Sequence, residues 1–414
     1  RACVGLGVGI IFPFAASYAV DLCKGGKESW MLGMRSVVGA CAGFFFMNAA
    51  VVIASNYYPY DSTIPMAQLQ PGDVPFPAGV FALPLLAFVC MIVMIVKLPN
   101  EGVVYAAENA SADEAKATKP ALASFIYVAI AIVLVGVAVA IVYFVYQAVS
   151  NLGTSVPDEG ISFAMSAAIA IIFLVFAITF IIMMFKVAAN KKSNEGISTK
   201  IKSNTWVFIL ANILIIGSTN CMMSNVAQVV GGHMIGLPLP DSIKELGPQN
   251  IPNVMNSFTI AMLISGFIFK PVWIGLFKRH AYTVGIAMCG IGLLLLYVSV
   301  VMMGSVPFAV IAAFIFGLGF QTYNGAVILR IAQSNDNKHV ALSTSYLMAF
   351  NGVGQTFGPI WIPGLIMLVF GMSFSDPLIF SLSWLFGGIL LIVMCILMGI
   401  YTQKEKVYRP DAAF

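Results

Sequence analysis

Long apolar runs alternate with short polar stretches along almost the whole chain. About eleven of the runs approach or exceed the length of about 20 residues that a membrane-crossing helix needs. Helices and closed barrels are the folds that satisfy backbone hydrogen bonds in lipid, and the alternating strands of about ten residues that build a barrel are absent. The pattern therefore predicts an all-α, polytopic helical membrane protein. The runs lie near 2–20, 31–54, 76–96, 121–149, 161–188, 205–230, 253–277, 281–303, 306–330, 340–370 and 377–401.

The composition also indicates a chain surrounded by lipid. Hydrophobic residues make up 60% of its 414 residues and charged residues only 9%, against about 25% charge in soluble domains. Such a chain cannot cover itself with water-facing surface, which excludes a soluble multidomain enzyme, a disordered chain and a nucleic-acid binder. The seven cysteines lie in or beside apolar runs without a C-x-x-C pair, so we expect reduced, packed thiols. The three histidines are scattered, so we expect no metal site and no cofactor.

Lysine and arginine are distributed unequally between alternate loops. One set of loops holds nearly all of them, whereas the other set holds Lys244 alone, apart from Arg1 at the start. Because positive residues are retained on the cytoplasmic side, the first set is predicted to be cytoplasmic. We therefore expect a multi-pass plasma-membrane protein with its C-terminus inside and residue 1 outside. The positive set is Lys24, Lys27, Lys97, Lys116, Lys119, Lys186, Lys191, Lys192, Lys200, Lys202, Lys278, Arg279, Lys338, Lys404, Lys406 and Arg409.

Two segments, 5–43 and 317–358, are similar in the order of their features. Each opens with Gly-Leu-Gly in an apolar run, crosses a short polar loop and enters a second run that carries small residues four apart. Internal repeats of this kind are common in transporters, although two unrelated glycine-rich helix pairs would look the same. An exterior residue 1 without a leader segment further suggests a fragment that has lost an odd number of helices.

Two stretches of the chain carry a family resemblance. RACVGLGVG (1–9), an arginine followed by a glycine ladder, resembles the fourth-helix motif of the major facilitator superfamily. KPVWIGLFKRHAYTVG (270–285) stands where that family repeats its basic loop motif. Lys278 and Arg279 keep the charge of the motif, but Phe277 replaces its Asp, which weakens the gating salt bridge that the motif implies.

The resemblance implies a fourteen-helix member of the family that lacks its first three helices. The first three runs would then be helices four to six, the last six would be helices seven to twelve, and two surplus runs would be an inserted pair. The implied parts are 1–99, a remnant of the N-terminal bundle; 100–202, cytoplasmic linkers and the inserted pair; 203–402, the C-terminal six-helix bundle; and 403–414, a cytoplasmic tail.

Charged residues inside or near the apolar runs are the first candidates for solute binding or ion coupling, because burying them in a membrane is costly. Lys270 lies eight residues from Lys278, or about 12 Å along a helix. It would attract an anion or take part in coupling, and a lysine that extends to the inner surface fits equally well. Arg35 is a second candidate, for which extension to the surface is favoured. Candidates for gating or structure are Arg1, Asp21, Lys278, Arg279 and Arg330.

Two of these assignments are more specific. Asp21 and Arg330 stand at the cytoplasmic ends of the two repeat-related helices, where pairing with neighbouring loops is favoured over contact with solute. The family resemblance links Arg1 to proton coupling.

Uncharged polar residues recur at helical spacing in three of the runs. Such faces would form a hydrogen-bonding wall of a solute path, or would hold helices together by bonds between them. The latter is favoured for any single residue, whereas at least one of the faces is expected to line the cavity. The faces are Asn220, Ser224 and Gln228; Gln321 and Asn324; and Asn351 and Gln355.

These features predict a secondary active transporter and not an enzyme. Its partners would be a small solute, with an organic or inorganic anion slightly favoured by Lys270, a coupling ion and the bilayer, and we expect a monomer. Export of drugs or metabolites driven by protons is the alternative, although GACAGFFF lacks the proline of the family's antiporter motif. A membrane-embedded enzyme would need clustered acidic or histidine residues, and a channel would more often show a filter loop.

Overall fold

A computed structural model of the chain describes mainly its C-terminal part. The chain divides into two compact units, Arg1–Val37 with Ala129–Phe414, and Val38–Val128. Apart from Val38 and Cys41, every described residue belongs to the first unit. The described residues are 34, 37, 38, 41, 158–189, 203–230, 250–334, 337–372 and 378–404.

Every regular element in these ranges is a helix, which confirms the predicted all-α class for this part of the chain. The longer α-helices are α1 (Asp158–Ala189), α2 (Ser203–Val230), α3 (Ile251–Phe267), α4 (Ala281–Tyr297), α5 (Val306–Ser334), α6 (Asn337–Phe370) and α7 (Leu378–Lys404). Shorter segments are two π-helices (Phe269–Ile274 and Val298–Met302), one α-helical turn (Gly275–Phe277) and one 3-10 turn (Lys278–His280).

Helices α3 and α5 run parallel to each other. Ser257 Oγ donates a hydrogen bond to the carbonyl of Val310 at 2.7 Å, and Ser265 Oγ lies 3.1 Å from the carbonyl of Leu318. Residue numbers therefore increase together along the two helices.

Helix α4 runs along α5 in the opposite direction. A Cβ added at Gly285 would lie 2.5 Å from the backbone nitrogen of Tyr323, and one added at Gly292 would lie 2.6 Å from that of Phe316. Numbers increase along α4 as they decrease along α5, so α3 and α4 are antiparallel.

The chain must therefore reverse its direction at the turn that joins these two helices. Lys278 has a φ of 47°, the left-handed region that a non-glycine residue rarely adopts, and it opens the 3-10 turn. The continuous helical run Phe269–Met302 thus has two antiparallel arms. The reversal lies between the predicted runs at 253–277 and 281–303.

Contacts near both ends of α2 give the directions of α6 and α7 relative to it. At the start of α2, Trp206 packs against Tyr346 of α6 with ring centroids 5.5 Å apart, and Phe208 packs edge-on against Tyr401 of α7 at 5.8 Å. At the other end of α2, Cys221 Sγ lies 3.3 Å from the carbonyl of Gly358 in α6, and Asn225 Nδ2 donates to Ser383 Oγ of α7 at 3.3 Å. Helix α6 is therefore parallel to α2, and α7 is antiparallel to it.

Helices α2 to α7 thus alternate in direction along the bundle. Helix α7 is also antiparallel to α4, since Cys395 contacts the carbonyl of Thr283 and Gly388 contacts Gly290. The start of α2, the turn at Lys278–His280, the junction of α5 with α6 and the end of α7 consequently lie at one end of the bundle, which we call the basic end.

Glycines bring several helix backbones into direct contact, as small residues do in membrane bundles. A Cβ at Gly317 of α5 would meet the carbonyl oxygen of Phe258 in α3 and, at 2.9 Å, Cβ of Ala261. A Cβ at Gly358 of α6 would lie 2.8 Å from the carbonyl oxygen of Gly217 in α2. These glycines therefore let the helices pack closely, whereas a Cβ added at Gly352 would meet no described residue within 4 Å.

The predicted count of eleven membrane spans is not supported. Four helical runs among the described residues are long and apolar enough to cross a membrane: Asn204–Val226, Phe269–Met302, Val306–Ile331 and Leu378–Gln403. Because Phe269–Met302 reverses its direction at Lys278–His280, only its second arm, 281–302, forms a single span. A bent pair, Tyr346–Gln355 with Phe357–Phe370, gives a fifth. Two further apolar segments are shorter: Ala168–Ile182, which is part of the 32-residue α1, and Ile251–Phe267, which is α3. The predicted runs that end before residue 150 lie outside the described residues, apart from four isolated positions.

Helix α6 is bent, as its prolines predict. The two parts of the bent pair make an angle of 53°, and Pro359 and Pro363 lie inside the helix. Because Pro359 has no N–H, it cannot donate to the carbonyl of Gln355, and this weakens the helix where it bends.

Candidate functional site

Lys270 lies in the π-helix that follows α3. Pro271 has no N–H to donate to the carbonyl four residues before it, and the hydrogen-bond register widens at this point. The carbonyl of Ile268 accepts from Val272 N at 2.9 Å and also from Trp273 N at 3.4 Å. π-Helical turns of this kind are frequent at functional sites.

The π-helix buries its aromatic residues and exposes its lysine. Phe269 and Trp273, four residues apart, are both buried, and the ring of Phe269 lies against Gly325 of α5. Lys270 and Pro271 are exposed, as are Ile264 and Phe267 in the preceding turns. Lys270 therefore lies on an otherwise apolar face.

A second polar surface lies on α2 and α6. Ser224 and Gln355 are exposed and Asn220 is half-buried, with its Cβ 3.1 Å from the position of a Cβ at Gly358. The large exposed side chains of the other helices are apolar and suit contact with lipid. On α1, α4 and α7 they are Ile171, Ile172, Leu174, Val175, Ile178, Ile181, Ile182, Phe185, Ile291, Leu295, Ile389, Val393, Ile396 and Ile400.

Asn351 is turned towards α2 and forms a buried amide pair that the sequence did not reveal. Asn212 Nδ2 donates to Asn351 Oδ1, and Asn351 Nδ2 contacts Met348 Sδ at 3.9 Å. Asn212 is fully buried, and its Oδ1 has no hydrogen-bond partner within the described ranges. The pair joins α2 to α6 by a hydrogen bond between helices, and the role of Asn351 in a solute path stays a prediction. A lone Asn in the run VFILANILII was the available signal for Asn212.

We expect Asn351→Leu to lower the free energy of unfolding by about 1–3 kcal/mol, because it leaves the amide of Asn212 buried without its partner. Asn212→Leu/Asn351→Leu removes both polar groups and should be more stable than Asn351→Leu alone. Thermal unfolding of the detergent-purified variants measures the difference. A double variant less stable than the single variant would contradict this account.

Gln321 and Asn324 differ in their surroundings. Gln321 is buried at 2% exposure, and its Nε2 has no hydrogen-bond partner in the part of the chain that the structure describes. Asn324 is half-buried and donates to the carbonyl of Phe320 at 3.0 Å. Gln321 thus has an unused donor, whereas the amide of Asn324 is held by its own helix.

Arg330 is buried at the basic end, at 2% exposure. Its Nη1 donates to Gln333 Oε1 at 3.1 Å, and its Cζ lies 5.4 Å from the ring centroid of Phe208 in α2. Tyr282 of α4 and Tyr401 of α7 pack edge-on against the same ring, with centroids 5.6 and 5.8 Å away. The cluster joins the ends of α2, α4, α5 and α7 beside a guanidinium, a favourable cation–π arrangement.

The other predicted residues are less informative. Lys278 and Arg279 are exposed in the reversing turn. Gln228 lies in α2, but its side chain is outside the description. Arg1, Asp21 and Arg35 lie outside the described residues.

The described part of the chain has neither a disulfide bond nor a group of side chains that could hold a metal ion. Cys221 and Cys289 are free and buried, and Cys41 and Cys395 are free and half-buried, which agrees with the predicted packing role. No three histidine, cysteine or acidic side chains come together among the described residues. The absence of a metal and of a cofactor stays a prediction.

Comparison of the chain with known protein families, curated proteins and solved structures finds no match. The structure itself therefore carries the functional argument. It supports a membrane-embedded helical protein, with several apolar helices of spanning length.

Proposed function

We propose that the protein is a secondary active transporter that moves a small anion by alternating access, driven by an ion gradient or by a counter-solute. The observation that carries this is Lys270, an exposed lysine on a π-helix within an apolar surface. A charge at this position attracts a solute of opposite sign, and π-helical widening is frequent where helices bind ligands. Carriers of this type bind solute at broken or distorted helices between two bundles that rock.

We assign the chain to the major facilitator superfamily, fourteen-helix type, as part of the same proposal. The six alternating helices α2–α7 support a C-terminal bundle at 203–402, and α1 would be one helix of an inserted pair within 100–202. Residues 1–99 would be the remnant of the N-terminal bundle, and 403–414 the tail. Eleven spans in all belong to this proposal.

We place the protein in the plasma membrane with its C-terminus in the cytoplasm. The exposed Lys278 and Arg279 lie at the same end of the bundle as the last turn of α7, and positive residues are retained inside. Its partners would be the solute, a coupling ion and lipid; we propose a monomer without enzymatic activity.

Proteoliposomes test the proposal. We expect saturable uptake of at least one radiolabelled anion from a panel of inorganic phosphate, sulfate, lactate and succinate. We also expect the same unlabelled anion, loaded inside, to drive transient accumulation of the label by counterflow. Linear uptake without counterflow would indicate a channel. Counterflow by neutral or cationic compounds alone would reject an anion carrier in favour of an exporter of such compounds.

A further inference from the structure

A chain of hydrogen bonds fastens the π-helix of Lys270 to α5. Trp273 Nε1 donates to Ser265 Oγ at 2.9 Å, and Ser265 Oγ lies 3.0 Å from Thr322 Oγ1. Thr322 Oγ1 in turn donates to the carbonyl of Leu318 at 2.7 Å. Ser265 Oγ has one proton, which it donates either to Thr322 Oγ1 or to the carbonyl of Leu318, 3.1 Å away, so the two hydroxyls meet at that carbonyl.

This network is buried and lies on the other side of the segment from the lysine. Ser265 and Thr322 have 0% exposed surface, and Trp273 has 8%. Phe269 and Trp273 fix the segment at both sides of Lys270, the first by packing on Gly325 of α5 and the second by its hydrogen bond. The backbone that carries the ammonium group is therefore held by α5, the helix that also carries Gln321 and Asn324.

We infer that Ser265, Thr322 and Trp273 are positioning residues for Lys270: they hold the π-helix so that the ammonium group meets the transported anion. The inference rests on the proposed function, which it extends to three residues that do not touch the solute. A buried network whose donors and acceptors are satisfied fixes one geometry, and loss of one member lets the segment sample others.

The first test measures the position of the segment without transport. Lys270→Cys in the full chain is reacted with sulfonatoethyl methanethiosulfonate, an anionic thiol reagent, and labelling of the chain without this substitution is subtracted. Adding Thr322→Val, which removes the hydroxyl, should change the reaction rate about threefold or more, because the thiol of the loosened segment then samples other surroundings. Adding Thr322→Ser, which keeps the hydroxyl, should leave the rate unchanged.

The second test measures binding during transport with the lysine in place. Thr322→Val should raise the KM for the fastest-transported anion of the panel about threefold to tenfold, as expected for one lost hydrogen bond, with Vmax little changed. Thr322→Ser should match the parent protein. If Thr322→Val does not fold, Ser265→Ala with Ser265→Thr as its control replaces it.

The outcomes separate the two proposals. Thr322→Val that equals Thr322→Ser in labelling rate or in KM overturns the positioning inference, even where Lys270→Gln stops uptake. Unchanged uptake by Lys270→Gln rejects the anion function instead, and the labelling rate still decides whether the network fixes the segment.

Discussion

Lys270→Gln is expected to reduce anion uptake about twofold to thirtyfold. The substitution keeps a polar side chain of similar length but removes the positive charge, and hydrogen bonds to charged groups contribute about 1.5–3 kcal/mol against about 1 for neutral ones. Because Lys270 is exposed on the π-helix, its replacement leaves the buried faces of Phe269 and Trp273 intact. The amount of inserted protein should therefore not change.

Initial uptake rates in proteoliposomes, normalised to the protein incorporated, measure this effect. Lys270→Arg keeps the charge and should retain a substantial part of the activity. Lys404→Gln, at the last residue of α7, removes a positive charge at the basic end and should leave uptake unchanged. If Lys270→Gln transports as well as the parent protein, Lys270 does not bind the anion, and its side chain extends to the membrane surface instead.

Gly317→Val is expected to reduce the folded fraction of the protein to a small part of that of the parent. Its Cβ would meet the carbonyl oxygen of Phe258 and the Cβ of Ala261, both of α3, so that no flexible side chain can yield. Helices α3 and α5 would have to separate, and overpacking typically costs about 1–3 kcal/mol even where side chains can adjust. A larger loss of stability is expected for Gly317→Val because the backbone of α3 or α5 must move.

Gly352→Val is the matched control, since it makes the same chemical change in a helix where an added Cβ meets no described residue within 4 Å. Size-exclusion chromatography of detergent extracts measures the folded fraction of both variants. Equal amounts of folded Gly317→Val and Gly352→Val would show that α3 and α5 do not pack this closely in the membrane.

Hydrophobic length accounts for what the sequence predicts about the fold. The runs at 281–303 and 306–330 correspond to helical segments at 281–302 and 306–334, because a run that must be buried in lipid has sharp polar ends. The same signal does not give the number of spans, since α3 is an α-helix only to Phe267 and Pro271 then changes the hydrogen-bond register. A single proline can change the hydrogen-bond register of a helix, and hydropathy averaged over many residues does not detect that change.

The candidate site is predicted only in part, because its contacts join residues that are distant in sequence. Asn351 was singled out, but its partner Asn212 lies 139 positions away, and the direction in which each side chain turns is set by helix packing. Burial of Gln321 and Arg330 likewise follows from neighbouring helices and not from the residues beside them. Lys270 can be identified from the sequence because a charged residue within an apolar run stands out without any knowledge of tertiary contacts.

The glycine contacts of α5 would restrict how the helices move in the transport cycle that we propose. At Gly317 and at Gly285, the backbone of α5 touches those of α3 and α4 with no side chain between them. Interfaces of this kind leave no compressible layer, so the three helices must travel as a rigid body. Bending during the cycle then falls to α6, where Pro359 has already removed a hydrogen bond, and this helix would act as the hinge of the bundle.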